Sequence, residues 1–410
     1  MDKIYIGGIS GSFTERLHFE EEASLQTIVS CIWRDPGVTK QYRTAVSLHG
    51  HTSHSHESLS FISTMAGKIP PLLWMIRKHE TQAKEKSGVR VDFDRGYWTP
   101  PLPPLAAFEL ERDQIESELG MRALVSLTDH DNIEAPMLLR VIPESRQTPV
   151  SLEWSVPFHG AEFHLGIHNL PGAQAPEIVT QLNAFTSCPQ QETLRDLLVM
   201  LDKIPEVLIV LNHPLWDMAG VGRQLHRLAL NAFVAEFSTY LHAFELGGLR
   251  PWEENHEVAQ FAEGWNQLVI AGGDRHGCEP SAVVALTEAE SFAEFVYQVR
   301  KEKRSHVLFM SQYREPLPLR YAMNLLDVLR DYPDYRAGLR RWDERVFHPD
   351  PAGEFRPLAQ MWSKPPGFIS SFVKTVHFVE SAPLRKILRL ALGAQPEPEL
   401  PPGGNQEVAQ

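Results

Sequence analysis

The sequence predicts an α/β fold, because strand-like runs alternate with helical stretches between residues 43 and 310. The strand-like runs are short, apolar and rich in β-branched or aromatic residues. They cover residues 43–48, 123–127, 150–153, 163–167, 207–211, 243–246 and 268–271. Such alternation favours a mostly parallel sheet, and its most economical closed form is a TIM-like barrel with helices outside.

Two of the intervening helices have clear sequence signals. Leucines at positions 194, 197, 198 and 201 share one face at helical spacing, and Pro205 marks the end of that helix. Ser291 and Glu294 have the spacing of a capping box in front of a second apolar stripe. That stripe consists of Phe292, Phe295, Val296 and Val299. Both helices are expected to pack on the sheet.

The chain divides into four predicted parts. Residues 1–42 form a lead-in with a short strand at 3–6 and a helix whose apolar positions are Leu25, Ile28, Val29 and Ile32. Residues 43–310 form the barrel, interrupted by an insertion at 57–104 that is either a lid or a neutral decoration. Residues 311–392 form a helical extension, with helices at 319–329 and 383–392. Residues 393–410, rich in Pro, Gly, Gln and Glu, are expected to be disordered.

Composition limits the partners of the protein. The formal net charge of −13 disfavours an extended surface for duplex nucleic acid, but it allows a small phosphorylated substrate or a single-stranded nucleic-acid end. No apolar run approaches the ~18 residues of a membrane span, so the chain is expected to be cytoplasmic. The three cysteines indicate neither a disulfide framework nor a CxxC metal clip. The basic segment 364–392 either contacts a partner or membrane surface or packs on the barrel.

Four histidines occupy eight residues directly after the first predicted strand, at positions 49, 51, 54 and 56. His49 and His51 would point to one face, as the period of a strand requires. Metal-binding residue types also lie in or directly after five further strands, near the strand ends where α/β enzymes place their active sites. These are Asp129-His130-Asp131, Glu153 with His164, Asn212-His213-Pro214 and Gly272-Gly273-Asp274-Arg275-His276. The pattern predicts a metal site at one rim of the barrel.

The order of these motifs resembles the polymerase-and-histidinol-phosphatase (PHP) phosphoesterases over residues 43–308. The resemblance implies a distorted seven-stranded α/β barrel and nine metal ligands. They are His49, His51, His56, His130, Glu153, His164, His213, Asp274 and His276. Many members have aspartate where this chain has Ser47, and many have Ser-Asp-Gly where it has Ser55-His56-Glu57. His54 and Glu57 are therefore rivals of His56 for the third ligand of the first motif.

The resemblance also implies a reaction, the hydrolysis of phosphate esters by a hydroxide that two or three divalent metal ions generate. It assigns His49, His51 and Asp274 to one ion, His164 and His213 to a second with Glu153 bridging, and His56, His130 and His276 to a third. Imidazole-rich ligation favours zinc, manganese or iron over magnesium.

Other polar residues near these motifs have predicted supporting roles. Arg275 either contacts a substrate phosphate or pairs with a carboxylate outside the site. Asp129 and Asp131 are expected to orient imidazoles, and Glu245 is a possible contact of a ligand or of the substrate. Two alternative functions stay open: an amidohydrolase-like enzyme that cleaves C–N or C–O bonds, and a non-catalytic metal-binding module that serves a partner.

Overall fold

A computed structural model describes residues 25–59, 78, 84, 95–336 and 339–361 of the chain. Several predictions lie outside these residues. They are the strand at 3–6, the helix at 383–392, the basic segment 364–392, the tail 393–410 and most of the insertion 57–104.

The first of two large sheets contains strands from the beginning and from the end of the predicted barrel region of the chain. Its order is β1 (Gln26–Cys31), β12 (Arg304–Phe309), β11 (Val283–Thr287), β2 (Thr44–Leu48) and β5 (Arg122–Ser126). The β1–β12 and β2–β5 pairs are parallel, whereas β11 is antiparallel to both neighbours. The strand β2, which leads into the histidine cluster, therefore lies between two hydrogen-bonded partners.

The second sheet carries the remaining predicted strands. Its order is β10 (Leu268–Gly272), β9 (Ala243–Gly247), β8 (Leu208–Asn212), β7 (Ala161–Leu170) and β6 (Val150–Phe158). The first three strands are mutually parallel, but β7 is antiparallel to both β6 and β8. His159 and Gly160 have positive φ values of 50° and 81° and close a tight β6–β7 hairpin. The mostly parallel sheet predicted above is therefore wrong, because a two-residue turn reverses the chain.

The two large sheets meet at the strand ends that carry the histidine motifs. Isolated parallel bridges join Gly50 to Arg275 and His130 to Glu153. The α/β class is thus confirmed. The barrel strands of the described residues form two separate hydrogen-bonded sheets rather than one closed ring, so the closed barrel stays a prediction.

Helices cover the sheets. The described helices are α1 (Pro104–Gln114), α2 (Glu134–Leu139), α3 (Ala175–Ser187), α4 (Gln191–Asp202), α5 (Arg223–Phe237), α6 (Trp252–Gly264), α7 (Phe292–Arg300), α8 (Leu317–Leu329) and α9 (Leu358–Met361). The leucine stripe of α4 is buried, and the Ser291 Oγ accepts a hydrogen bond from the Glu294 N–H at the start of α7, both as predicted. Within the described residues, no helix has the length and apolar character that a membrane crossing requires.

The lead-in helix predicted from Leu25, Ile28, Val29 and Ile32 is wrong, because residues 26–31 form strand β1. This strand pairs in parallel with β12 from Gln26↔Arg304 to Cys31↔Phe309. The segment contains three consecutive β-branched residues at 27–29, which favour an extended backbone. Over so few residues, apolar spacing alone does not separate a helix from a strand.

A third, small antiparallel sheet joins the insertion to the C-terminal extension. Its order is β14 (Phe355–Pro357), β13 (Val346–Pro349), β4 (Tyr97–Trp98) and β3 (Glu57–Ser58). The predicted helix at 319–329 is confirmed as α8, but the extension also contains these two strands and is not purely helical. Both ends of the insertion are therefore fixed beside residues that lie far away in sequence.

Candidate metal centre

Strained backbone marks the strand ends at the histidine motifs. His49, His213 and Asp274 have positive φ values of 63°, 26° and 49°, which non-glycine residues rarely adopt. The loops are also hydrogen-bonded to each other: the Gly273 N–H donates to the Leu48 carbonyl at 2.8 Å, and the His51 N–H donates to the Arg275 carbonyl at 2.8 Å. Strain of this kind persists only where surrounding contacts enforce it, and it is concentrated at functional sites.

The buried carboxylate of Glu153 lies at the centre of five histidines. Its Oε2 atom lies 3.1 Å from His49 Nε2, 3.3 Å from His51 Nε2 and 3.4 Å from His130 Nε2. Its Oε1 atom lies 3.2 Å from His164 Nδ1 and 3.1 Å from His213 Nε2. Glu153 therefore presents its two oxygens to two different sets of imidazoles.

Asp274 adds a second buried carboxylate beside the first histidine motif. Its Oδ1 atom lies 3.6 Å from His49 Nε2, 3.7 Å from His51 Nε2 and 3.4 Å from His276 Nδ1. Its Oδ2 atom lies 3.3 Å from Nη2 of Arg250. The two oxygens of Asp274 thus face opposite directions, one toward the histidines and the other toward a guanidinium.

A third carboxylate, Glu57, lies on the outer side of the cluster. Its Oε2 atom lies 3.2 Å from His130 Nε2 and 3.1 Å from His276 Nε2. Its Oε1 atom accepts a 2.5 Å hydrogen bond from the Ser55 hydroxyl. The rings of His51 and His276 stack with centroids 4.2 Å apart.

These residues form two connected groups. The inner group consists of His49, His51, Glu153, His164, His213 and Asp274, and the outer group of Glu57, His130 and His276. Within them, four overlapping sets have ligand atoms all within 4.8 Å of one another. The sets are His51-Glu57-His130-His276, His49-His51-Glu153, His49-His213-Asp274 and His130-Glu153-His164. These buried clusters could hold metal ions.

The grouping differs from the prediction at the end of the first motif. His56 is exposed, points away from both groups and stacks on Tyr97 with ring centroids 4.1 Å apart. His54 pairs with Glu134 instead, Nδ1 to Oε2 at 2.9 Å. Glu57 occupies the position predicted for His56: it is buried, pairs with Trp98 in β3 and β4, and faces His130 and His276. His213 forms a set with His49 and Asp274, and it also faces the same Glu153 oxygen, Oε1, as His164.

The carboxylates and imidazoles of the cluster shift each other's pKa values toward their charged forms. Burial on its own would raise the pKa of Glu153, but the imidazoles of His49, His164 and His130 hold it well below its usual value. Burial would lower the pKa of His164, yet the neighbouring Glu153 raises it to about 10. His130 responds in the same way, since Glu57 and Glu153 raise its pKa to about 9 against the effect of burial. Metal binding would replace these protons.

The donor atoms fit a divalent cation. His49 Nε2, His51 Nε2 and His164 Nδ1 are buried and have no hydrogen-bond partner among the described residues, although each faces a Glu153 oxygen. Three imidazole nitrogens therefore converge on one carboxylate at 3.1–3.3 Å, as the ligands of a shared cation would. Imidazole nitrogens with carboxylate oxygens are the donors that zinc, manganese and iron bind.

The imidazole of His49 is oriented by a carboxylate behind it. Glu245, at the centre of β9, places Oε2 2.7 Å from His49 Nδ1, which directs Nε2 into the inner group. Gly272 provides the space, because a Cβ there would lie 2.2 Å from the Glu245 carboxyl carbon. The contact of Glu245 with a predicted ligand, left open above, is therefore present.

Of the two roles predicted for Arg275, the structure shows the pair with a carboxylate outside the cluster. The side chain is 2% exposed, and its Nε lies 2.8 Å from Oε1 of Glu111. Its Nη1 and Nη2 donate to the carbonyls of Gly277 and His51 at 2.9 and 2.8 Å. Ser47 donates to the same Glu111 carboxylate at 2.9 Å. The sequence contains no local signal for Glu111, which comes from helix α1.

Asp129 and Asp131 hydrogen-bond to Thr52 and to the Ser155 backbone rather than directly to imidazoles, which differs from the role predicted for them. Asp129 accepts hydrogen bonds from the Thr52 N–H at 2.6 Å and the Thr52 hydroxyl at 2.7 Å. Asp131 accepts one from the Ser155 N–H at 2.9 Å. Asp129 therefore fixes the loop that carries His51, and Asp131 binds strand β6, which carries Glu153.

Comparison with known proteins does not assign this chain to a family. No protein-family model and no curated protein matches the sequence. Among solved structures, an amidohydrolase from Chromobacterium violaceum with bound sulfate and no metal is 15% identical, with a TM-score of 0.29 over 44% of this chain and 84% of that one. A candidate metal-dependent phosphoesterase from Bifidobacterium adolescentis is 13% identical, with a TM-score of 0.28 over 48% and 90%. The interpretation of the site therefore depends on its own geometry.

Proposed function

We propose that this protein is a metal-dependent hydrolase of phosphate esters. The observation that carries the proposal is the carboxylate of Glu153, whose two oxygens face two different sets of imidazoles within 3.4 Å. A buried carboxylate in this position suits a bridge between two cations. The motif order along the chain supports a PHP-type phosphoesterase on the TIM-like barrel of that family.

The two groups would hold two or three divalent ions, with zinc, manganese or iron as the candidates. His49, His51 and Asp274 would bind on one side of Glu153, and His164 and His213 on the other. Glu57, His130 and His276 would complete the outer site, with Glu57 in place of the predicted His56. When bound, such ions supply a hydroxide nucleophile at neutral pH and neutralise charge on phosphoryl oxygens.

The chain's own residues hold this arrangement in place. Glu245 fixes the ring of His49, and the Asn212 amide donates to Glu153 Oε1 at 2.9 Å, so that the carboxylate does not rotate. Burial of Glu153 and His49 keeps bulk water away from the inner group, which strengthens every electrostatic interaction there. No side-chain nucleophile is required for such a reaction.

Phosphate esters are preferred over C–N or C–O bonds for one structural reason. The amidohydrolase-like alternative uses a carbamylated lysine as a metal bridge, and among the described residues no lysine lies in or directly after strands β2 and β5 to β10. The bridging position belongs to Glu153 instead. A phosphomonoester, a nucleotide or an oligonucleotide end is the substrate class most consistent with the net charge of −13, which opposes binding of a long duplex.

The proposal is tested with purified protein loaded separately with manganese, zinc or iron. Bound metal is measured by mass spectrometry, and turnover is measured with 4-nitrophenyl phosphate, bis-4-nitrophenyl phosphate and short 5′-phosphorylated oligonucleotides. We expect two or three metal equivalents and turnover of at least one substrate, with both lost in Asp274→Ala. Absence of turnover with all three metals would contradict the proposal, and turnover of an amide substrate alone would favour the alternative.

A further inference from the structure

The loop after β9 turns one arginine toward the inner group. Nη2 of Arg250 lies 3.3 Å from Asp274 Oδ2, and the arginine side chain is 8% exposed. Gly247 permits this conformation, because a Cβ there would lie 2.6 Å from Arg250 Cγ. The Tyr313 hydroxyl donates to the Arg250 carbonyl at 2.8 Å and fixes the backbone of the loop.

The guanidinium of Arg250 stacks on an indole at the edge of the cluster. Its Cζ lies 3.7 Å from the ring centroid of Trp216, and the Trp216 ring lies 5.1 Å from the ring of His213. Trp216 is 37% exposed, so the pair lies between the buried inner group and solvent. Cation–π stacking fixes the plane of the guanidinium without occupying its N–H donors.

Arg250 retains unused donor capacity. Its Nε is buried and has no hydrogen-bond partner among the described residues. The carboxylate of Glu254 is 3.8 Å from that nitrogen, which is beyond hydrogen-bonding distance. The contact with Asp274 is a single long one rather than the bidentate pair that arginine and carboxylate favour. A buried donor without an acceptor is costly unless a ligand completes the site.

We propose that Arg250, whose guanidinium packs against the Trp216 ring, binds a non-bridging phosphoryl oxygen of the substrate. The assignment rests on the proposed phosphoesterase function. The planar guanidinium matches the geometry of phosphate, and its position beside Asp274 places a fixed positive charge next to the inner group. Arg250 thereby takes the role predicted for Arg275, whose three guanidinium nitrogens all contact the chain itself.

The test measures binding of inorganic phosphate to the manganese-loaded protein by isothermal titration calorimetry. For Arg250→Met we expect Kd for phosphate to rise at least about tenfold, as the loss of a charge-assisted hydrogen bond implies. Arg250→Lys should lose less, because it keeps the charge. Metal content should equal that of the wild type in both variants. Arg223→Met, at a side chain that is 89% exposed, is the matched control and should bind phosphate normally.

The outcomes separate this assignment from the proposed function. If Arg250→Met weakens phosphate binding while the wild type hydrolyses no ester, the proposed function fails, and Arg250 is supported as a phosphate-binding residue but not as a contact of an ester substrate. An unchanged Kd in both variants overturns the assignment, as does a wild-type protein that binds no phosphate. A fall in metal content in both variants also overturns it, because Arg250 would then act by orienting Asp274. If Arg250→Met does not fold, Arg250→Lys is the test. A raised Kd for phosphate at wild-type metal content then supports the assignment, and an unchanged Kd overturns it.

Discussion

The inner and outer groups contain the same residue types but are built in different ways. The side chains of His49 and Glu153 in the inner group are 1% exposed, whereas those of His130 and His276 in the outer group are 14% and 16% exposed. The inner residues lie in or directly after strands of five to ten residues. Glu57 lies in a strand of only two. The core of the fold thus positions one group, and contacts between loops position the other.

The outer group also depends on the C-terminal extension. Trp98, which pairs with Glu57, lies 5.8 Å from the His276 ring, and β13 pairs with the strand that carries Trp98. Directly after His276, the Cys278 N–H donates to Asp327 of α8 at 2.7 Å. Two segments outside the predicted barrel therefore support the outer group, and neither of them contacts Glu153.

The largest expected effect concerns the centre of the inner group. Glu153→Gln should lower the content of bound manganese or zinc and reduce phosphatase activity by more than about 100-fold, because even residues behind metal ligands contribute about 10–100-fold. Metal is measured by mass spectrometry and activity with 4-nitrophenyl phosphate. Glu290→Gln, at a side chain 65% exposed in a surface pair with Arg43, is the control. Wild-type metal content in Glu153→Gln would remove this residue from the site.

A large effect on stability alone is expected at Arg275. Arg275→Met leaves the buried carboxylate of Glu111 without its ion pair, which should lower the free energy of unfolding by about 3–5 kcal/mol. The measurement is urea denaturation of the metal-free protein. Arg43→Met breaks only the exposed pair with Glu290 and should cost about 0–1 kcal/mol. A stable Arg275→Met protein with a raised KM would restore the phosphate contact predicted from sequence.

A pair of variants at adjacent positions tests the outer group directly. Glu57→Gln should remove one metal equivalent and leave the others bound, because Glu57 lies 3.1–3.2 Å from His130 and His276 of the outer group and, among the described residues, touches the inner group only at His51, 3.5 Å away. His56→Ala should leave the metal content unchanged, since its ring stacks on Tyr97 instead. Metal equivalents are counted for both variants under identical loading. If His56→Ala lost a metal equivalent and Glu57→Gln did not, His56 would be the ligand of the outer group, and the pairing of β3 with β4 would be contradicted.

The difference between the inner and outer groups also explains which site residues can be predicted from the sequence. His49, His51 and Asp274 follow apolar strands, so the local pattern places them at one rim without knowledge of the rest of the fold. The choice between His56 and Glu57 depends on pairing with Trp98, forty residues away, and no local pattern encodes that register. The two roles of Arg275 could not be separated from sequence for a similar reason, because its partner Glu111 lies on a separate helix.

The fold shows the same division between local and distant information. Helix α4 and the capped helix α7 were predicted because leucine spacing and the Ser291 cap act within a few residues. Strand β1 was misread as a helix because its conformation is set by β12, far along the chain. Short apolar segments take the structure of whatever partner buries them, so the tertiary contact overrides local spacing.

The smallest expected effect separates orientation from ligation within the inner group. Glu245 contacts His49 Nδ1 but belongs to none of the four sets of clustered ligand atoms. Glu245→Gln keeps the shape and one possible hydrogen bond but loses the charge, so metal affinity should fall only about tenfold, at the low end for such residues. Competition with a calibrated chelator measures this affinity, and the number of metal equivalents at saturation should stay constant. If an equivalent were lost at saturation, Glu245 would itself be a ligand, and the inner group would extend one residue deeper into β9.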